Sequence, residues 1–254
     1  MYKINIILDY KNRFESKYTA IPYRSGFDKR LLEKYFNQFG FEVTYITYPE
    51  IDFQNSDFNS SVFIYCSSED KENYYKSYIE DVILGLKLAG AIVVPDYCYL
   101  RAQNNKLFME ILRNINENES IKKLHLKHFG TIEDLIKQRS SLKKISYVIK
   151  PAMGAMSKGI SCASEYRKLL KNVKKISQTP SFYEDTKDIL RRIRHKGYVP
   201  ESRYRKKYVL QEMVMNLSGD WKILIFNKKY YVLRRNNRKP EDCYRITIGA
   251  SATV

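Results

Sequence analysis

The sequence predicts an α/β unit followed by an α+β unit. Over residues 1–100, short apolar runs alternate with amphipathic segments of helical spacing, the pattern of a parallel sheet covered by helices. After residue 140, apolar runs follow one another with tight connections, as antiparallel strands do. The charge changes along the chain as well. Residues 1–100 carry 11 Lys/Arg against 14 Asp/Glu, and residues 101–254 carry 34 against 14. A small N-terminal domain over 1–100 and a second domain over 101–254 are therefore expected.

The elements follow in order. Residues 3–9 read as a first strand, ended by Asp9. Residues 27–39 place Phe27, Leu31, Leu32, Tyr35, Phe36 and Phe39 at helical spacing, and Gly40 stops that helix. Strands are expected over 41–47 and 61–66, a long helix over 73–88 ended by Gly90, and a strand over 91–94 ended by Pro95. A helix over 105–113, a polar loop over 114–120, a strand over 123–129 and a short helix over 131–138 capped near Thr131 come next. In the last part, strands over 145–149 and 160–162 flank a small-residue loop. A helix over 164–176 starts from a Ser164 cap, and a basic insertion over 177–206 holds a helix at 185–194. Strands over 208–214, 221–226 and 230–233 complete the series.

Composition excludes several classes. In 254 residues, 44% are hydrophobic and 29% charged, with 22 Tyr and 12 Phe, which is the balance of a folded globular chain. No apolar run reaches the ~20 residues of a membrane helix. The N-terminal run stops at Asp9 without a small-residue cleavage site, so it reads as a strand and not a signal peptide. Cys66, Cys98, Cys162 and Cys243 lie far apart without metal-ligand spacing, as expected of reduced thiols in a cytoplasmic protein. The net charge of +17 suggests an anionic partner.

Two segments carry chemistry. In Tyr147-Val-Ile-Lys150-Pro-Ala-Met-Gly154-Ala-Met-Ser157-Lys158-Gly159, a strand ends in a lysine, and a small-residue loop with a second lysine follows. Small residues let backbone N–H groups approach phosphate oxygens, and ammonium groups supply point charges to them. The spacing is neither that of a Walker A loop nor that of a dinucleotide-binding fingerprint. In Tyr208-Val-Leu-Gln211-Glu212-Met213-Val214, followed by Asp220-Trp221-Lys222, a strand with a polar end could present backbone groups to a base edge. Alone, the first segment is equally compatible with an ordinary loop, and the second reads more simply as an amphipathic strand with Glu212 in solvent.

Taken in order over residues 100–245, these segments resemble the ATP-grasp superfamily, of the carboxylate–amine/thiol ligase type. The resemblance implies ATP and Mg²⁺ as cofactors and an acyl-phosphate intermediate. It implies that Lys150 contacts the α-phosphate and that Gly154 to Gly159, with Ser157 and Lys158, covers the β- and γ-phosphates. Gln211, Glu212 and Val214 would read the adenine, and Lys106, after Asn105 at a helix start, would reach the nucleotide. Asp220 and Lys222 stand where many members have Asp-x-Arg, so Lys222 is a departure. Arg234, Arg235 and Arg238 lie where an arginine serves the phosphate, and Arg245 closes an imperfect Asp-Phe-Arg element. Arg235 and Arg245 would steady the acyl phosphate. Residues 1–100 would match the preceding domain that helps bind the acceptor.

The family's metal ligands are expected beyond this point, yet the nine residues after Arg245 contain no Asp, Glu or Asn. The resemblance therefore implies a C-terminally incomplete ATP-grasp-like domain, a partner that completes it, or a degenerate nucleotide-binding module without catalysis. A basic nucleic-acid-binding protein is a further alternative, suggested by Arg191 to Lys196 and Arg203 to Lys207 with interleaved Tyr. His125, His128 and His195 show no nucleophile pairing and read as core or surface residues, and Tyr74, Tyr75 and Tyr78 read as core or interface aromatics.

Overall fold

The computed structural model describes residues 2–16, 26–122, 125–154, 157–179, 182–215, 219–226, 228–237 and 246–247. The chain divides into two compact units, Met1–Gln103 and Asn104–Val254.

In the first unit, β1 (Tyr2–Leu8), β2 (Phe41–Thr47), β3 (Val62–Ile64) and β4 (Ile92–Val94) form one parallel sheet in the order β2-β1-β3-β4. Strand β1 is central and uses both faces. Ile4, Ile6 and Leu8 pack with Phe14 and with Leu32 and Phe36 of α1 (Lys29–Gln38). Ile7 joins the opposite cluster, where α2 (Tyr74–Leu88) buries Ile79, Val82, Ile83 and Leu86 at helical spacing. Asp28 caps α1 by accepting from the amides of Arg30 and Leu31. Phe27, Leu31, Tyr35 and Phe39, also on the expected apolar stripe, stay exposed. Of the three tyrosines, Tyr75 packs against the core, while Tyr74 and Tyr78 are exposed. A short helix that the sequence reading did not contain, α3 (Tyr97–Ala102), follows β4.

In the second unit, α4 (Lys106–Ile115) precedes an antiparallel sheet of β5 (Leu126–Phe129), β6 (Tyr147–Pro151), β7 (Ser161–Ala163) and β8 (Tyr208–Glu212), ordered β5-β8-β6-β7. Alternation along a strand separates its faces. Tyr147, Ile149, Tyr208 and Leu210 point to α5 (Ile132–Lys137) and α6 (Tyr166–Ser177) and share a core with Leu135, Leu169 and Val173. Their neighbours Val148, Lys150, Val209 and Gln211 point the other way. Thr131 caps α5 through a reciprocal bond pair with Asp134. Helix α7 (Phe182–Arg194) precedes β8, after which β9 (Gly219–Phe226), β10 (Lys229–Asn237) and β11 (Ile246–Thr247) form a second antiparallel sheet.

Several expected bounds need correction: α1 is shorter than 27–39, and β10 runs well past Leu233 to Asn237. Helix α6 begins at Tyr166 with Glu165 at its N-cap and no side-chain cap bond, not from Ser164. Ala163 still pairs with Tyr147, so Ser164 is only leaving the strand. Strand β8 ends at Glu212 and not Val214. After the Met213 N–H donates to the Ser146 carbonyl, its neighbour β6 offers no further residues. Helix α7 starts at Phe182, earlier than Asp185.

Leu210 is fully buried at the centre of the second unit's core. Truncating it leaves a cavity that close-packed neighbours fill poorly. Leu210→Ala should therefore cost ~2–5 kcal/mol, read as a lower denaturant midpoint.

Candidate functional site

Two of the residues singled out in the sequence, Lys150 and Gln211, meet on the sheet face turned away from α5 and α6. Lys150, one residue from the end of β6, donates from Nζ to Gln211 Oε1 on β8. The two lie on neighbouring strands with Lys150 opposite Val209, so they point to the same face diagonally. Burial lowers the Lys150 pKa below 10.5, and the Glu110 carboxylate on α4 works against that fall.

The start of α4 is tied to the chain leaving β6 by three bonds. The Lys106 amide donates to the Ala152 carbonyl at 2.8 Å. The Lys106 ammonium donates to the Gly154 carbonyl at 2.6 Å. The Gly154 amide donates to Asn104 Oδ1 at 2.8 Å. Asn105, itself buried, caps α4 at Phe108. These ties place the Lys106 ammonium within electrostatic range of that of Lys150. Its pKa is lowered by burial first and by the Lys150 charge second.

The loop that follows is shaped by its backbone. Gly154 has φ +113 and Gly159 φ +76, a region that favours glycine. A Cβ on Gly159 would come within 3.2 Å of Pro151 Cγ, so the loop's end folds back on its own start. Ser157 has φ +57 and is half-buried, and Lys158 is exposed. The intervening Ala155 and Met156 lie outside the described residues.

Beyond Gln211, the Glu212 amide donates to the His125 carbonyl at 2.8 Å, and the Glu212 side chain is half-buried. Val214 is 42% exposed past the end of β8. Asp220 and Lys222 stand on the other sheet, where Asp220 pairs with Arg235 and Lys222 with Leu233 across β9–β10. The Arg234 guanidinium lies 5.7 Å from the centre of the Trp221 ring. Arg238 and Arg245 fall outside the described residues. Thus Lys106, Lys150, Gly154 and Gln211 are brought together, and the hairpin residues are held on a separate element.

Sequence reasoning passed over two residues, Asn104 and Glu110. The doubled Asn104-Asn105 before the Lys106 helix was the available signal for the first. Nothing local marks Glu110, which is one helical turn beyond Lys106 and also paired with Arg113. Among the described residues, no group of three or more His, Cys, Asp or Glu could hold a metal ion. No helix there is long and apolar enough to cross a membrane.

The chain is similar in structure to ATP-grasp ligases. A D-cycloserine synthetase aligns at 12% identity and TM-score 0.44, covering 92% of this chain and 68% of that one. The D-alanine–D-alanine ligase of Bacillus anthracis, complexed with ATP, aligns at 13% identity and TM-score 0.42, covering 99% and 72%. An ATP-grasp ligase associated with peptide natural products in Chryseobacterium gregarium, in complex with ADP and a leader and core peptide, aligns at 12% and 0.45, covering 96% and 72%. No protein-family model and no curated protein matches the sequence. All three scores lie below 0.5, so the functional reading rests on this chain's own residues.

Two crowded ammonium groups leave a signature in pH. Both folded-state pKa values lie below the ordinary 10.5, so between them and 10.5 the unfolded chain binds more protons. Stability from this pair is lowest when both are charged and recovers as pH rises towards 10.5. Lys106→Met removes one charge and relieves the other. The melting temperature of Lys106→Met relative to the native chain should therefore fall as pH rises from neutrality towards 10.5, as measured by differential scanning fluorimetry.

Proposed function

We propose that the second unit binds ATP at the Lys106–Lys150 pair and serves an ATP-dependent carboxylate–amine ligase reaction. The meeting of these two partly desolvated ammonium groups beside a glycine-shaped loop carries the reading. Like charges held together out of water disfavour each other, and an anion between them removes that cost. Each ammonium has three donors and uses one on Gln211 Oε1 or the Gly154 carbonyl, which leaves donors for phosphate oxygens.

On this reading Lys150 and Lys106 hold the α- and β-phosphates. The loop from Gly154 to Gly159, with Ser157 and Lys158, covers the β- and γ-phosphates. Gln211 fixes the Lys150 ammonium, and the backbone over Glu212 to Val214 faces the adenine edge. Asp220, Lys222 and Arg235 would act from the hairpin, and Arg235 and Arg245 would steady the acyl phosphate. The resemblance supplies these last roles.

The reaction class follows from the same resemblance. A carboxylate oxygen attacks the γ-phosphorus of ATP, the bond to the β-γ bridging oxygen breaks, and ADP leaves. An amine then attacks the acyl carbon, giving an amide, phosphate and a proton. No cluster of three or more possible metal ligands lies among the described residues, and Mg²⁺ is implied by the resemblance alone.

ATP titration followed by thermal shift, with and without Mg²⁺, tests the binding. A ligand at about 100 times its Kd stabilises the folded chain by ~2.7 kcal/mol. Lys150→Ala should weaken binding at least about tenfold, the loss of roughly 1.4 kcal/mol. No ATP-dependent shift under either condition would overturn the proposal. A shift without ADP release on any acid–amine pair would reduce it to nucleotide binding.

A further inference from the structure

A cavity lies on the opposite, helix-covered face of the same sheet. It measures about 860 Å³ between the end of α5, the 139–145 segment and the start of α6. Its deepest lining, Tyr147, Ala163 and Leu169, belongs to the buried core, and the half-buried Leu142, Ile145 and Tyr166 supply its accessible apolar surface. Its rim is cationic: Lys137, Arg139, Lys143 and Lys144 stand against one acid, Glu165.

The cationic rim is anchored. The Lys143 amide donates to Tyr147 Oη at 3.1 Å, which ties the Lys143–Lys144 segment to the cavity floor. The Arg139 guanidinium lies 4.5 Å from the centre of the Tyr166 ring, a stacking that leaves its N–H edge available. None of the four cations is ion-paired with a carboxylate among the described residues. The twelve-residue helix α6 opens into the same space without a side-chain cap, so its first amides add to the positive end.

An apolar floor with a positive rim selects a ligand of matching polarity. The volume lies within the range of small-molecule sites. We propose that this cavity is a binding site for a small organic anion, with an aromatic or aliphatic body against Leu142, Ile145 and Tyr166. Its carboxylate, sulfonate or phosphate lies against Arg139, Lys143 and Lys144. The site is separate from the Lys106–Lys150 pair, because Tyr147 and Lys150 point to opposite faces of β6.

The fluorescent aromatic sulfonate 8-anilinonaphthalene-1-sulfonate is a direct probe. Titrated into the full chain, it should show one saturable site that decanoate displaces and decylammonium does not. Affinity should fall at least about tenfold in Lys143→Glu/Lys144→Glu. It should persist in Lys168→Glu/Lys171→Glu, which alters net charge equally at exposed positions of α6 outside the cavity. Saturating ATP should leave the dye bound. Should the first double variant fail to fold, Lys143→Gln/Lys144→Gln reads the same loss. Absence of a saturable site, equal losses in the two charge-reversed variants, or displacement by ATP would overturn the assignment.

Discussion

The closeness of the Lys106 and Lys150 ammonium groups is the constraint on which the second unit's site depends. Burial disfavours both charges, and the Lys150 charge further disfavours that of Lys106. Glu110 offsets this in part, but its carboxylate is also held by Arg113, so it cannot act as a dedicated counter-ion. The arrangement persists because the backbone enforces it. Three hydrogen bonds tie 104–106 to 152–154, and Gln211 fixes the other ammonium from a neighbouring strand. Rigid scaffolding that holds like charges together is pre-organised for an anion, since reorganisation is paid before the ligand arrives.

The same strand makes two different surfaces. Along β6, Tyr147 and Ile149 enter the core beneath α5 and α6, and Lys150 emerges on the reverse side. Strand β8 repeats the division, with Tyr208 and Leu210 inward and Gln211 outward. The core face fixes register, because a slip of one residue would put Lys150 into the apolar cluster and Ile149 into the polar site. Packing on one side thus sets the polar geometry on the other. Leu210, with no contact to a phosphate position, still fixes where its neighbour Gln211 points.

The sequence made some of this legible. Period-two and period-3.6 patterns located the parallel sheet of the first unit and the antiparallel strands of the second, because both depend on local alternation. Lys150 was visible as a polar residue closing an apolar strand before small residues. Gln211 drew notice only through its order after that loop, and its bond to Lys150 spans 61 positions that no local pattern encodes. Asn104 and Glu110 were missed for the same reason. Phe27, Leu31, Tyr35 and Phe39 show the converse error. Leu31 and Tyr35 lie on the helix but only Leu32 and Phe36 reach the sheet, since a ten-residue helix presents one narrow face to it, and Phe27 and Phe39 fall just outside the helix. The α6 cap failed because Ser164 looks like a cap in sequence, while pairing of Ala163 with Tyr147 sets where the strand ends.

The charge of the second half also divides by environment. Most of its cations, including Arg191, Arg192 and Arg194 at the end of α7, are exposed. Exposed charges are screened over ~8 Å at physiological salt, and single ion pairs among them contribute little. The Lys106–Lys150 pair is half-buried and escapes much of that screening. A large basic surface can raise the encounter rate with an anion without fixing its pose. Two desolvated ammonium groups can fix a pose without needing the rest. The net charge of +17 therefore says little about the candidate site. What distinguishes the site is that two of its cations are held where water shields them least.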